Sequence, residues 1–187
     1  NLNNTIISGG VVRKIGTNTT DSNEQINASY SLFDTTPTTG AGMTLNGSNT
    51  YTGGTQLAGG TLILGNNSAL SSAALNVTGN GTLDSTSALQ LANAINLGAQ
   101  LTLAGNQNTT LIGAVTGTGS LLKNGSGDLV LSGANTYSGG TTLNGGTTRG
   151  DTSSLQGAIV NNATLTFEQN ADGSYTGNLT GTGTLNK

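Results

Sequence analysis

Residues 45–55 read LNGSNTYTGGT, and residues 131–141 read LSGANTYSGGT, an offset of 86. A second pair, GAVTGTGSLLK at 113–123 and GNLTGTGTLNK at 177–187, is offset by 64. Taken as four units and three units, the two offsets agree on a repeat of about 21 residues. A unit of that size cannot bury a core by itself, so the units must stack and share one.

Within the units the apolar residues fall into short alternating runs, such as Thr61-Leu62-Ile63-Leu64, Leu101-Thr102-Leu103 and Thr164-Leu165-Thr166-Phe167. Alternation with period two predicts strands, and the Gly and Asn that follow supply the corners. The stretch ALQLANAINL at 88–97 comes nearest to a helical pattern, but its flanking Gly98 and Gly105 and its place in the repeat favour strand. An apolar column can be drawn through Met43, Leu62, Leu83, Leu103, Leu121, Leu143, Leu165 and Leu185, and a polar one through Asn46, Asn66, Thr86, Asn106, Asn124 and Asn144. Stacked Asn amides can bond from one rung to the next. The architecture these patterns imply is all-β: a parallel β-helix of roughly nine coils spaced about 4.8 Å apart.

Composition narrows the chemistry. Gly, Thr, Asn and Ser make up 105 of the 187 residues, while Leu, Ile, Val and Phe together make up 40. That apolar share lies near the level at which chains stop folding, but charged residues are only 7% and the net charge is −3, so self-repulsion is weak. There is no histidine and no cysteine, which excludes imidazole-based triads, disulfides, thiolate nucleophiles and Cys-rich zinc sites. Five basic residues give no footprint for nucleic acid. Starting at Asn1 without a signal peptide, the sequence reads as a mature chain or an excised fragment.

The run 117–142, GTGSLLKNGSGDLVLSGANTYSGGTT, resembles the autotransporter-associated β-strand repeat of bacterial autotransporter passengers. Its hallmarks are Gly119-x-Leu121, Lys123, Gly125-x-Gly127-x-Leu129-x-Leu131-x-Gly133, Asn135-x-Tyr137 and Gly139-Gly140-Thr141, with a partial copy at 43–55. The resemblance covers residues 41–187. It implies a right-handed parallel β-helix, exported through the periplasm and outer membrane to the cell surface. A C-terminal outer-membrane barrel, not present in this sequence, would anchor the parent protein. The stop at Lys187, where a third copy would go on with Gly-x-Gly, reads as a truncation.

On this basis residues 1–16 form the first coil or coils, 17–40 an inserted loop, and 41–187 the repeat-bearing β-helix. The insertion carries Tyr30 and Phe33 and is the candidate recognition loop. Arg149-Gly150-Asp151, a cation and an anion flanking a glycine after Gly145-Gly146, is the candidate receptor-binding tripeptide. Asp128, Asp151 and Asp172 recur at 23 and 21 residues and would face one another if those spacings were whole coils. Without accompanying cations or sugar-stacking aromatics they read as solvated turn carboxylates. No catalytic residue, cofactor or metal is assigned. Tyr51 and Tyr137, recurring within the repeat, read as structural. The expected function is that of a non-enzymatic passenger segment acting in adhesion or cell–cell aggregation, with partners being itself on neighbouring cells or a host surface protein or glycan. A non-binding stalk that promotes secretion and a carbohydrate-active β-helix are the alternatives.

Overall fold

The structure, a computed structural model, describes residues 42–187 and, before them, the backbone strands Thr5–Ser8, Val11–Lys14, Thr20–Ser22 and Ser31–Asp34. It is all-β, with parallel sheets stacked as a solenoid of about 7 turns and ~20 residues per turn. Three sheets of nine, seven and six strands run along the axis. One turn illustrates the winding. Leu75–Val77 lies in the seven-stranded sheet, Gly81–Ser85 in the nine-stranded sheet and Leu89–Leu91 in the six-stranded sheet. Ile95–Leu97 then returns to pair in parallel with Leu75–Val77.

Most strands are three residues long because only three residues fit along one side of so small a coil. In most of the three-residue strands two side chains point in and the middle one points out, as in Leu89-Gln90-Leu91 and Leu101-Thr102-Leu103. Covered parallel sheets usually read as unbroken apolar runs. Here one face of each sheet meets solvent, which is why threonine and asparagine alternate with leucine. The segment 88–97, read as strand although its pattern comes near a helical one, forms the two strands Leu89–Leu91 and Ile95–Leu97.

The interior is built of columns, one residue per turn. Leu75, Ile95 and Val115 stack in the seven-stranded sheet, and Leu101 sits between Gly81 and Leu121 in the nine-stranded one. The apolar column drawn from the sequence is correct through Met43, Leu62, Leu83 and Leu103 and then departs from the register. The residue level with Leu103 is Lys123, not Leu121, and Lys123 in turn stacks under Leu143. Leu165 and Leu185 belong to a different sheet, in line with Thr148.

The estimate of about 21 residues comes within one residue of the ~20 per turn, and the small excess arises at the corners. Thr55, Leu75, Ile95 and Val115 are successive members of one column, each 20 residues from the last. The next turn places Thr136 against Val115, its N–H donating to the Val115 carbonyl at 2.9 Å. Thr141, the sequence match of Thr55, therefore lies one face further round, in the nine-stranded sheet beside Leu121. The offset of 86 is four turns plus one step between faces. The same holds for 64, since Val115 lies in the seven-stranded sheet and its match Leu179 in the nine-stranded one.

The segment 17–40 lies outside the described residues except for Thr20–Ser22 and Ser31–Asp34. Their backbones pair in parallel with Gly42–Leu45 and Thr55–Leu57. At the far edge of the seven-stranded sheet, Thr5–Ser8 and Val11–Lys14 form an antiparallel pair.

Neighbouring residues of one strand should respond differently to truncation. Leu101 is fully buried between two rungs, and Leu101→Ala should lower unfolding free energy by about 2–5 kcal/mol. Thr102→Ala, on the outward side, should change it by less than about 0.5 kcal/mol. Urea unfolding of the two variants against the parent chain measures both.

Candidate binding faces

The repeated string Asn-Thr-Tyr-x-Gly-Gly-Thr forms the same plug at two different corners. Tyr51 and Tyr137 point into the core with 1% and 2% of their surface exposed. Their hydroxyls bond the Oγ1 of Thr55 and Thr141 at 2.6 and 2.8 Å. The glycine before each threonine, Gly54 or Gly140, has φ of 83° or 78°, a left-handed turn that steers the chain into the next strand. Asn135 ties three turns together. Its Oδ1 accepts from the Val115 N–H and its Nδ2 donates to the Ser154 carbonyl, both at 2.7 Å. Asn49 makes the corresponding upward bond to the Ala69 carbonyl at 2.7 Å. The Asn, the Tyr and the final Thr of each unit are buried and hold the corner.

The outward residues form rows. On the nine-stranded sheet, Thr61, Thr82, Thr102, Leu122, Thr142, Val160 and Thr180 lie in register, one per turn, with no charged member. On the seven-stranded sheet, Asn96 Nδ2 donates to Asn76 Oδ1 and Thr116 Oγ1 donates to Asn96 Oδ1, each at 2.8 Å. A third ladder lies at a corner: Asn144 Nδ2 donates to Asn124 Oδ1 at 2.9 Å, and Asn162 Nδ2 to Asn144 Oδ1 at 3.1 Å. The polar column read from the sequence therefore exists in part. It slips at Asn66, because Leu45 pairs with Leu64 and Asn46 therefore lies level with Gly65, and it breaks after Asn106, over which Ser126 stands, its Oγ bonded to Asn106 Oδ1 at 2.9 Å.

Arg149 and Gly150 end the strand Thr147–Gly150, with Gly150 buried. Arg149 bridges two turns, 3.0 Å from Glu168 and 3.8 Å from Asp128, all three side chains at least one third exposed. Asp151 Oδ1 accepts from the Ser153 and Ser154 N–H groups at 2.9 and 2.8 Å and from Ser153 Oγ at 2.7 Å. The Ser153 hydroxyl is the largest cause holding its carboxyl below the ordinary aspartate value. Both charged members of the tripeptide are thus engaged by the chain itself. Arg149 is level with Val130, which places Asp128 and Asp151 at different points along their turns. The carboxylate that joins Asp128 around one cation is Glu168, which the spacing argument passed over. Tyr30 lies outside the described residues. Phe33 is described only as backbone of the strand Ser31–Asp34.

Lys123 is the residue whose place the sequence hid. It is 4% exposed between Leu103 and Leu143, its ammonium donating to the carbonyls of Gly125 and Gly145. Burial pulls its pKa below the ordinary lysine value, partly offset by the Asp128 carboxylate. Its spacing of 20 from Leu103 and from Leu143 is the signal in the sequence that could have found it.

The geometry is that of a repeat-built rod with outward rows. Two stretches, residues 39–68 and 121–149, match the family described as the passenger-associated-transport-repeat. Both contain the buried Asn-Thr-Tyr corner. In these two stretches the chain is similar to repeat-bearing autotransporter passengers, a class secreted to the cell surface or the extracellular space. No curated protein and no solved structure matches the chain.

Burial pushes the Tyr51 phenol up to about 12, whereas in the unfolded chain it ionises near 10. Between those values the unfolded state releases a proton that the folded state keeps. Tyr51 should therefore cost no stability below pH 10, and should lower it by roughly 1 kcal/mol per pH unit from there towards pH 12. Tyr51→Phe should flatten that part of the stability curve, read by urea unfolding at pH 9, 10 and 11.

Proposed function

We propose that this segment is a non-catalytic adhesive rod, promoting adhesion or cell–cell aggregation through the outward row of the nine-stranded sheet. The observation that supports the reading is the row itself: Thr61, Thr82, Thr102, Leu122, Thr142, Val160 and Thr180, in register over seven rungs. Hydroxyls and methyls repeated every ~4.8 Å offer a partner surface many weak, identical contacts, and contacts held at fixed spacing sum far above any one of them. Leu122 and Val160, the latter 38% exposed, add apolar contact without adding charge. A partner with its own extended repeat, either a second rod on a neighbouring cell or a host surface glycan or protein, suits such a face.

A spacer role is the second reading. It draws on the name of the matched family, which refers to transport, and on corner units that recur as structural plugs.

The two readings separate on a displayed protein. Thr102→Lys with Thr142→Lys puts two charges in the row two rungs apart and leaves the core untouched. At unchanged surface display, the adhesive reading expects aggregation or host-cell binding to fall by an order of magnitude or more. Undiminished adhesion would refute it. Loss of display on deleting the segment would instead support the transport role.

A further inference from the structure

Four Asn-Gly pairs occur in the chain, at 46–47, 80–81, 124–125 and 144–145. In such a pair the glycine nitrogen can attack the asparagine Cγ, since no Cβ obstructs its approach. The attack needs that nitrogen free, because an N–H held by a carbonyl must first give up its bond. Gly81 and Gly125 are held in this way, donating to the carbonyls of Gln100 and Leu103 at 3.2 and 3.1 Å. The Gly145 N–H, by contrast, finds no acceptor among the described residues. The pair 46–47 has no Asn-Gly rung above it for comparison, Asn46 being level with Gly65.

Asn124 and Asn144 are consecutive rungs of one ladder, and their surroundings are closely matched. Both are exposed, and each follows the buried last residue of a strand, Lys123 or Leu143. Each Oδ1 accepts one amide from the rung above, Asn124 from Asn144 at 2.9 Å and Asn144 from Asn162 at 3.1 Å. The two Cγ carbons are therefore polarised alike. The Lys123 ammonium donates to the carbonyls of both Gly125 and Gly145, so its charge lies near both sites. What differs is the corner that follows. Five residues separate Lys123 from Leu129, but only four separate Leu143 from Thr148, the positions stacked above them. In the longer corner Gly125 and Gly127 donate to the turn beneath, at 3.1 and 3.4 Å. In the shorter one neither Gly145 nor Gly146 donates to any described residue. Gly125 is buried and Gly145 is half-buried, which leaves the nitrogen of Gly145 within reach of solvent.

We infer that Asn144 is a site of spontaneous covalent modification, losing ammonia through an imide formed with Gly145. Hydroxide takes the proton of the Gly145 N–H, and the nitrogen forms a bond to Asn144 Cγ. The bond from Cγ to Nδ2 breaks, and that nitrogen takes a proton from water and leaves as ammonia. Water then opens the five-membered imide. Opening at Cγ gives aspartate; opening at the main-chain carbonyl of Asn144 gives isoaspartate. Either product removes the Nδ2 that donates to Asn124 and puts a negative charge into a ladder of amides. The isoaspartate form also lengthens the main chain by one carbon, in the corner that is a residue shorter than the one below.

The test incubates the full chain in mildly alkaline buffer and maps its peptides by mass spectrometry over time. Asn144 should gain the one-dalton mark of deamidation several times faster than Asn124 or Asn80, with isoaspartate among its products. In urea, where the bonds that hold Gly81 and Gly125 are gone, the three sites should react at similar rates. Equal rates in the folded chain, a faster Asn124, or no reaction at Asn144 would overturn the inference. A preference for Asn144 that survives unchanged in urea would overturn it too, since the local sequence rather than the free N–H would then be the cause.

Discussion

The backbone ladder between successive turns is the constraint from which the rest follows. Alternate strand residues bond to the turn above and those between them to the turn below, at close to 2.9 Å, as between Leu75 and Ala94, Ile95 and Ala114, and Thr78 and Leu57. That fixes a rise of about 4.8 Å per turn, less than the width of a leucine side chain. An inward residue must therefore lie directly on its equivalent in the next turn, and an outward one must tolerate an identical neighbour. Leucine and isoleucine satisfy the first condition and threonine and asparagine the second. The unusual composition is the ladder expressed in residues. The corners obey the same spacing, and there the backbone passes so close to the turn below that Gly117 and Gly181 leave no room for a Cβ.

Much of this was legible in the sequence. Alternation identified the strands, including the pair within 88–97, and repetition identified the stacking. The repeat length came out about one residue long because one assumption failed. Similarity was taken to mean an integral number of turns, whereas corner units are reused on any face. Both measured offsets carried one extra step between faces, so they agreed with each other while missing the 20-residue turn. Burial of Lys123 was hidden for a different reason: a lysine reads as surface until the two carbonyls that receive its ammonium are in place. Those carbonyls, of Gly125 and Gly145, sit on adjacent turns, a proximity that only the winding creates.

The candidate sites show the same division. Tyr51 and Tyr137 were read as structural because they recur, and recurrence is what a corner plug requires. Arg149 and Asp151 looked available because a tripeptide carries no record of its neighbours. In the structure Glu168 and Asp128 hold the guanidinium, and Ser153 and Ser154 hold the carboxylate. What no spacing argument could foresee was the pairing of charges across turns of unequal length. The next turn reaches Thr166 only 17 residues after Arg149, and so brings Glu168 alongside it.

Reuse of one corner unit on all sides has a consequence for how such rods change length. Misaligned recombination between the two coding copies of the Asn-Thr-Tyr unit would add or remove 86 residues, which is not a whole number of turns. The sequence beyond the crossover would emerge turned by about a third of a revolution about the axis, its corners carried to a new side as the tyrosine unit already is between Thr55 and Thr141. A single duplication would thus lengthen the rod and reorient its threonine row relative to everything on the near side of the junction. Length and direction of display are coupled in this architecture through the genetics of its repeats.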